Sequence, residues 1–447
     1  MKTSNIFNNF INYFKNKAKL YTDKRKGKNK IYKIADIVLS AFSMFFFQSE
    51  SFLAFQRKMQ EEEGRNNAQS FFKISKIATD NHIRDILDSM NPKLLKPLFQ
   101  KLLRYLKDNK ILNSFKYMGY YLIITDGTNY YFSKNIHCEK CLTKKHKNKN
   151  GEEEIHYHHQ AITPIIASPN QKEILPLMPE FIENEDGKEK QDCEINAQKR
   201  WLANVDNLEL DGEIILLGDD ISSREPYCRD ILKNKNSFFF VAKKSSHKSM
   251  YDRIDFLDKN NHLDSYEKIE KNGNEEKLYK IRCANEVPIN NNKDALKVNW
   301  IEVKREESKP NKKPYYNTFI TNIEINENNS YELAKIGETR WKVENENNNT
   351  IKTKGYHIEH NFGHGHKYLS SFLFALNVLA FLLHTVLRLL DEKFNELFDK
   401  SPRKEIFKEM EVLTKYFYFE DIEILIDLIL NREKDKLRLA SDYIHSR

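Results

Sequence analysis

MGYYLIITDGT, residues 118–128, is the stretch from which the architecture of this chain is most readily deduced. Its apolar, β-branched and aromatic run predicts a β-strand, and the Asp-Gly pair near its end predicts a turn. The segment NYYFSKNIH follows directly, so the two segments together predict a β-hairpin. Asp126 would then stand at the end of an apolar strand.

Downstream of this stretch, strand patterns alternate with helix patterns. GEIILLGDD, residues 212–220, is a short apolar run ending in two acids, which is typical of a buried central strand. The order strand, strand, strand, helix, strand, helix, strand is predicted over residues 118–128, 129–137, 155–168, 189–205, 212–220, 224–234 and 237–244. That is the order of a ribonuclease H-like core, so the predicted fold class is α/β with a mixed sheet.

The rest of the chain is predicted to flank or interrupt this core. Apolar periodicity predicts helices before it and after it, and an Asn-rich segment with strand patterns predicts an insertion within it. The predicted organisation is a basic polar arm (1–33), a helical N-terminal DNA-binding domain (34–112), the first part of the core (113–244), a β-rich insertion (245–330), the second part of the core (331–390) and a helical C-terminal region (391–447). The arm is interpreted either as flexible or as the start of the DNA-binding region.

The composition favours a polyanionic partner without demanding one. The 447 residues carry 73 Lys and Arg against 65 Asp and Glu, a formal net charge of +8. A basic excess of this size suits nucleic acid, but chains rich in Lys and Asn often show it. Five cysteines at uneven spacing indicate no disulfide framework, so a reduced cytoplasm is expected.

One segment, residues 368–390, is long and apolar enough to cross a membrane. It contains Asn377, His384 and Arg388, and polar groups at mid-membrane are costly. A buried core helix is therefore expected, and no membrane partner.

Three acids are candidates for a catalytic metal site. Asp126 and Asp219 end two apolar strands, and acids at such positions lie over one edge of a sheet, where they can converge. Glu344, in RWKVENENNNTIKTKGY (340–356), lies on a predicted helix and can supply a third. Carboxylates suit Mg²⁺, and two such ions about 4 Å apart promote phosphoryl transfer. Each acid also has an ordinary explanation, as a turn residue or part of a surface ion pair.

Basic residues near Glu344 are candidates for DNA contacts. Arg340 and Glu344 are four residues apart and share one helix face, so Glu344 could bind metal while Arg340 reaches a phosphate. Lys352 and Lys354 follow where the chain leaves the helix, and both suit backbone phosphates.

In these segments the sequence resembles bacterial DDE transposases of the insertion-sequence-four type. LIITDGT resembles the family's first-acid strand, IILLGDD the second, and RWKVE the third, where Arg, three residues and Glu recur. TDNHIRDILD, DGKEKQDCE and KTKGYHIEHNFGHG add to the resemblance, which covers about residues 37–390. The family's second acid comes first after the strand, which selects Asp219 over Asp220.

Two positions depart from the family signature. The Tyr three residues before the Arg is Gly337 here, and the Lys seven residues after the Glu is Ile351, with Lys352 one further on.

The resemblance implies a homo-oligomer, expected to be a dimer, that binds inverted terminal repeats of double-stranded DNA. It implies strand cleavage and joining of 3′ ends to target DNA, with two Mg²⁺ or Mn²⁺ held by Asp126, Asp219 and Glu344. The expected location is the cytoplasm, at the nucleoid when bound to DNA. Two alternatives stay open: a catalytically inactive, transposase-derived DNA-binding protein, and a ribonuclease H-like nuclease without strand transfer.

A separate signal is HCEKC, residues 137–141, which has C-x₂-C spacing. Cys138 and Cys141 would bind structural Zn²⁺ if two further N or S ligands joined them, and two free thiols are the alternative. The downstream candidates are His146, His156, His158, His159 and Cys193.

Two more segments have alternative interpretations. In GYHIEHNFGHGH (355–366), the residues His360, His364 and His366 are either metal ligands or turn-capping and phosphate-contacting side chains. Trp300, in an alternating strand, is either a residue that stacks on an unpaired base or part of the core.

Overall fold

The computed structural model describes residues 3–26, 30–49, 51–147, 151–183, 192–273, 275–307, 313–360 and 362–431. Parts of the predicted arm (1–2 and 27–29), of the helix at 189–205 (189–191) and of the C-terminal region (432–447) lie outside these residues. The helices are α1 (Thr3–Ala18), α2 (Ile34–Phe46), α3 (Phe52–Gln60), α4 (Glu62–Phe72), α5 (Asp80–Asp88), α6 (Lys96–Asp108), α7 (Glu194–Leu202), α8 (Glu225–Lys233), α9 (Lys248–Lys259), α10 (Ser330–Thr339), α11 (Asn349–Thr353), α12 (Leu369–Leu390), α13 (Glu392–Lys400), α14 (Arg403–Tyr416) and α15 (Ile422–Asn431).

The strands form two sheets. They are β1 (Lys116–Tyr117), β2 (Tyr120–Ile124), β3 (Gly127–Ser133), β4 (Leu142–Lys147), β5 (Glu153–Ile162), β6 (Ile165–Ala167), β7 (Leu175–Pro176), β8 (Glu180–Ile182), β9 (Ile214–Gly218), β10 (Ser237–Val241), β11 (Asp264–Asn272), β12 (Glu275–Pro288), β13 (Lys297–Glu307) and β14 (Tyr315–Thr321). The main sheet has the order β11-β12-β13-β14-β10-β9-β2-β6-β7, with β1 paired to β2.

The centre of the main sheet is mixed. β2 and β9 run parallel, as do β9 and β10, whereas β6 is antiparallel to β2 and β7 is antiparallel to β6. Helix α8 connects β9 to β10, since a parallel pair needs a crossover. The predicted α/β class with a mixed sheet is confirmed.

The hairpin predicted from Asp126 and Gly127 is wrong. β2 pairs with β6 in the main sheet, while β3 pairs with β5 in a second sheet of order β3-β5-β4, with β8 beside β5. The chain bends at Asp126 and again at Thr163, whose N–H donates to the Asp126 carbonyl at 2.9 Å. An Asp-Gly pair is a local turn signal, and here the partner strand lies much further along the chain.

The first half of the predicted polar arm is a packed helix and not a flexible segment. Thr3–Ala18 form α1, in which Phe7, Phe10 and Phe14 are fully buried. These aromatic residues recur at helical spacing, and the surrounding Lys and Asn residues obscure that stripe in the composition. The predicted helical domain at 34–112 does contain α2 to α6.

Helix α12 is the one helix in the described ranges with the length and hydropathy of a membrane span, and 83% of its apolar window is buried inside the structure. It packs against α2, α5, α6 and α13. Two of its polar side chains form internal hydrogen bonds: the Asn377 Nδ2 donates to the Tyr356 carbonyl at 2.7 Å, and the His384 Nδ1 bonds the Tyr356 hydroxyl at 2.8 Å. The expected buried core helix is confirmed.

The insertion extends the main sheet. It begins with α9, and β14 then pairs antiparallel with β10, with Ile320 opposite Phe240. Trp300 on β13 is 1% exposed, and its Nε1 donates to the Tyr251 hydroxyl at 3.4 Å. The prediction that Trp300 stacks on an unpaired base is therefore wrong, because its ring is enclosed in the core.

Candidate functional site

Asp126 and Asp219 lie side by side at one edge of the main sheet. In the parallel pair β2–β9, Ile124 is opposite Leu217, and each aspartate comes two residues after its member of this pair. The Thr125 N–H donates to the Leu217 carbonyl at 3.0 Å, which carries the pairing up to Asp126. Because neighbouring strands are about 4.8 Å apart, the two carboxylates emerge next to each other.

Glu344 approaches this pair from the segment after the insertion. It lies in a π-helical turn, Val343–Asn348, which continues directly into α11. The Arg340 Nη1 donates to the Glu344 Oε1 at 2.6 Å, and 51% of the Glu344 side chain stays exposed. The predicted sharing of one face by Arg340 and Glu344 is confirmed.

The pKa of Asp126 is influenced by both of the other predicted acids. It is raised to about 6, first by burial and then by the nearby charges of Glu344 and Asp219. The Arg340 guanidinium and the Gly127 N–H act in the opposite direction. A carboxylate crowded by like charges favours its neutral form, and a cation would relieve the same repulsion.

A fourth carboxylate, Glu194, joins the group and was missed from sequence. It is the first residue of α7, and its Oε2 would lie 2.7 Å from a Cβ placed on Gly127. A side chain at residue 127 would therefore displace the ends of the Glu194 and Gln160 side chains. Burial raises the pKa of Glu194 to about 7, and the charges of Asp219 and Asp126 add to the rise. We call Asp126, Glu194, Asp219 and Glu344 the carboxylate cluster.

Nothing in the sequence pattern separates Glu194 from the other acids of DGKEKQDCE, of which it is the last. Only the fold brings the start of α7 against the turn that carries Asp126.

The preference for Asp219 over Asp220 agrees with the hydrogen bonds. Asp220 faces the loop after β10, where its Oδ1 accepts from the Lys243 N–H at 2.6 Å and its other oxygen accepts from the Ser246 hydroxyl. Asp219 instead contributes to the raised pKa values of Asp126 and Glu194. Asp220 therefore holds a loop and Asp219 belongs to the cluster.

Asn348 fixes the orientation of Asp126. Its Nδ2 donates to the Asp126 Oδ2 at 2.9 Å, and its own Oδ1 accepts from the Thr163 hydroxyl at 2.8 Å. The Asn348 side chain is buried, so this contact is shielded from water. Asn348 is a positioning residue: it anchors one carboxylate oxygen of Asp126 and leaves the other to the cluster.

The predicted DNA-contacting cations lie along the same helical segment. Arg340 is occupied by Glu344, and Lys352 Nζ is 3.3 Å from Glu359 Oε1 with 30% of its side chain exposed. Lys354 is exposed where the chain leaves α11. Of these cations, Arg340 contacts the carboxylate cluster, and Lys352 and Lys354 follow it along the chain.

Gly337 and Ile351, the two positions that depart from the signature motif, both lie in the packed interior of the protein. A Cβ on Gly337 would lie 2.7 Å from the ring of Phe319, which fills the space that a side chain would need. Ile351 is fully buried.

A second group of side chains, which we call the Cys/His cluster, consists of Cys138, Cys141, His159 and His364. The four potential ligand atoms all lie within 4.8 Å of one another, so the group could hold a metal ion. The C-x₂-C spacing predicted Cys138 and Cys141 as a pair of ligands, with His159 among several candidates for the others. The fold adds His364, from the His-rich segment at residues 355–366.

The other candidate ligands lie outside the cluster. The rings of His146 and His156 stack on each other at 4.3 Å, and Cys193 is exposed. His360 packs against Phe362, and His366 donates its backbone N–H to Asp88.

No model of a known protein family matches the chain, and no curated protein is significantly similar to it. Its function is therefore argued from the geometry and chemistry of these residues.

Proposed function

We propose that this protein is a DNA transposase whose carboxylate cluster promotes metal-dependent strand cleavage and strand transfer. The observation that carries the proposal is the placement of Asp126 and Asp219 at the ends of adjacent parallel strands, with Glu344 reaching them from beyond the insertion. The strand order β7-β6-β2-β9-β10, with β2, β9 and β10 parallel and β6 antiparallel, supports a ribonuclease H-like core.

The donor set suits Mg²⁺ or Mn²⁺. Every member is a carboxylate, and hard divalent cations prefer such oxygen ligands. The charge of Arg340 lowers the pKa of Asp126, whereas the charges of Glu344 and Asp219 raise it. The cluster therefore carries excess negative charge. Two bound ions would activate the attacking oxygen and neutralise charge on the leaving one.

The proposed role of the neighbouring side chains is to hold the carboxylates in place and to orient the substrate. Asn348 holds Asp126 in one rotamer, and Arg340 presents its guanidinium beside Glu344, where a phosphate of the substrate would meet it. The nucleophiles would be water and then a DNA 3′-hydroxyl. Catalysis then rests on positioning and charge neutralisation, and no covalent bond between protein and DNA is needed.

The π-helical turn supports a role for Lys352. A π-turn adds one residue to a helix, so residue 352 takes the angular position that residue 351 has in an uninterrupted α-helix. The lysine expected seven residues after the glutamate in the transposase signature is thereby matched by Lys352. The signature tyrosine has no such counterpart, because Phe319 occupies the space above Gly337.

The proposal includes double-stranded DNA as the partner, a homo-oligomer for pairing two ends, and a cytoplasmic location at the nucleoid. The formal net charge of +8 suits a polyanion. Helices α2 to α6 are the proposed DNA-binding domain.

The test is a cleavage and strand-transfer assay with purified full-length protein, Mg²⁺ or Mn²⁺, and DNA carrying the two ends of the element that encodes it. Nicking at the ends and joining to target DNA are expected, and both should be lost in Asp126→Asn, Asp219→Asn and Glu344→Gln while DNA binding persists. Glu346→Gln, an acid-to-amide change two residues from Glu344, is the matched control and should stay active.

Other outcomes would replace the proposal. Binding of the ends by the wild-type protein without any nicking would indicate an inactive DNA-binding derivative. Cleavage without preference for the ends and without joining would indicate a nuclease.

A further inference from the structure

The Cys/His cluster has the dimensions of a tetrahedral metal site. The Sγ atoms of Cys138 and Cys141 are 3.9 Å apart, and the Nε2 atoms of His159 and His364 are 3.0 Å apart. The sulfur-to-nitrogen distances are 3.5 Å for Cys138 to His159, 3.4 Å for Cys141 to His159 and 3.3 Å for Cys141 to His364. Tetrahedral Zn²⁺ with its usual bond lengths would place two sulfurs about 3.8 Å apart and two nitrogens about 3.3 Å apart.

The local backbone brings the two cysteine ligands together. Cys138 and Cys141 form one tight turn between β3 and β4, in which the Cys141 N–H donates to the Cys138 carbonyl at 3.1 Å. The Cys138 N–H points at the Cys141 sulfur at 3.4 Å, a contact that stabilises a thiolate. The C-x₂-C spacing thus directs both sulfurs to one point.

The tautomer of His364 is the one that a metal ligand needs. Its Nδ1 lies 2.8 Å from the Gly365 carbonyl, which can only accept, so Nδ1 carries the proton. Nε2 is then left unprotonated, with its lone pair directed at the cluster. A metal-bound histidine is usually oriented by such a bond from its other ring nitrogen.

Three of the four ligands are buried, and Cys138 is half-buried. Cys141, His159 and His364 are 3%, 2% and 6% exposed. The ring of Tyr131 lies 4.2 Å from that of His364, which further excludes water. A site with four protein ligands and no open position is structural, whereas catalytic zinc keeps a position for water.

We propose that Cys138, Cys141, His159 and His364 bind one structural Zn²⁺. Two thiolates and two imidazoles in tetrahedral arrangement favour zinc over the hard cations that suit the carboxylate cluster. This inference is independent of the transposase proposal, since it uses none of the same residues.

The proposed ion would join two parts of the chain that flank the insertion. Cys141 and His364 are 223 residues apart in sequence. Cys138 and Cys141 lie in the turn between β3 and β4, and His159 lies on β5 of the same sheet, whose strand β3 starts next to Asp126. His364 lies in the turn between α11 and α12. Zinc would therefore lock the segment of the first acid to the segment of the third.

The test begins with the metal content of full-length protein purified without chelators. About one equivalent of zinc is expected in the wild type and in Cys193→Ser and His366→Ala, which alter exposed residues next to the cluster segments. Loss of the zinc is expected in Cys141→Ser and His364→Ala.

A second measurement does not depend on how the variants fold. Replacement of the metal in the wild-type protein by Co²⁺ should give the intense visible bands of a tetrahedral site together with a thiolate-to-cobalt charge-transfer band. Absence of both zinc and these bands would overturn the proposal. Stoichiometric iron in place of zinc would overturn the assignment to zinc.

Discussion

The carboxylate cluster and the Cys/His cluster are each built from four side chains, and each joins the chain before the insertion to the chain after it. They differ in exposure and in ligand chemistry. Half of the Glu344 side chain is open to solvent, whereas His159 is 2% exposed. One set offers hard oxygens and the other soft sulfur and imidazole nitrogen. An open, charged site suits a substrate that enters and leaves, and a closed one suits a scaffold.

The two clusters are also connected by one structural element. In the second sheet, β3 begins beside Asp126, β5 carries His159, and the turn of Cys138 and Cys141 joins β3 to β4. Variants that lose either DNA cleavage or the zinc of the Cys/His cluster, but not both, would show that the clusters are chemically independent despite this link.

The largest expected effect is the loss of cleavage in Asp126→Asn. Removing a charge that stabilises a transition state commonly costs about 10²–10³-fold, and loss of a metal ligand should cost at least that. The zinc content should stay at one equivalent per chain. Cleavage rates and metal analysis on the same preparation would check both, and loss of zinc in this variant would contradict the independence of the clusters.

Next in size is the stability lost in His364→Ala. A ligand that binds only the folded state at 1,000 times its Kd stabilises that state by about 4 kcal/mol. Chemical denaturation of the variant should show a decrease of that order, and His366→Ala should not. Equal stability of the two variants would mean that no tightly bound metal holds the Cys/His cluster together.

The carboxylate cluster should respond to pH in the metal-free protein. The pKa values of Asp126 and Glu194 are raised to about 6 and about 7, so the folded state binds more protons than the unfolded state above about pH 4. Stability should therefore fall as pH rises through about 4 to 7, by less than about 1.4 kcal/mol per pH unit for each group. Asp126→Asn should weaken this dependence.

Because protons and cations compete for the oxygens of the carboxylate cluster, Mg²⁺ should raise the unfolding temperature of the protein at pH 8 and have little effect at pH 5. Thermal unfolding followed with and without Mg²⁺ at the two pH values would check this. Equal stabilisation at both would indicate that the cation binds elsewhere.

A smaller effect is expected for Glu194→Gln. Residues that support metal ligands typically change affinity about 10- to 100-fold, so weaker Mg²⁺ binding is expected, with cleavage restored at high Mg²⁺. Gly127→Ala should act in the same direction, since its Cβ would displace the Glu194 carboxylate. An unchanged Mg²⁺ dependence in both variants would exclude Glu194 from the metal site.

The smallest effect is expected for Lys354→Ala. Loss of one phosphate contact should reduce the slope of log affinity against log salt by about 0.9. Lys354→Arg should retain the wild-type slope. DNA binding measured over a range of salt would show whether Lys354 makes that contact.

The sequence was sufficient for the parts of the molecule that depend on local pattern. Apolar runs located β2 and β9, and the position of Asp126 and Asp219 after those runs placed both at one sheet edge. The long apolar helix was correctly expected to be buried, because its internal Asn377 and His384 argued against lipid.

The failures concern long-range contacts. The Asp-Gly pair suggested a hairpin, since nothing local reveals that β2 pairs with β6 instead. Glu194 and His364 acquire their roles only when the chain folds, and His364 meets His159 across 205 residues. The aromatic stripe of α1 was hidden by its Lys and Asn neighbours.

The separation of the ligands in sequence has a consequence for biosynthesis. Asn348 reaches Asp126 across 222 residues and His364 reaches His159 across 205. The carboxylate cluster and its positioning residue therefore need the chain through residue 348 to have left the ribosome, and the Cys/His cluster needs the chain through residue 364. Such non-local closure is slow to form compared with helix or hairpin contacts. A truncated translation product ending within the insertion would contain Asp126 and Asp219 but lack both Glu344 and His364. We therefore expect chains that end within the insertion to show neither DNA cleavage nor zinc binding.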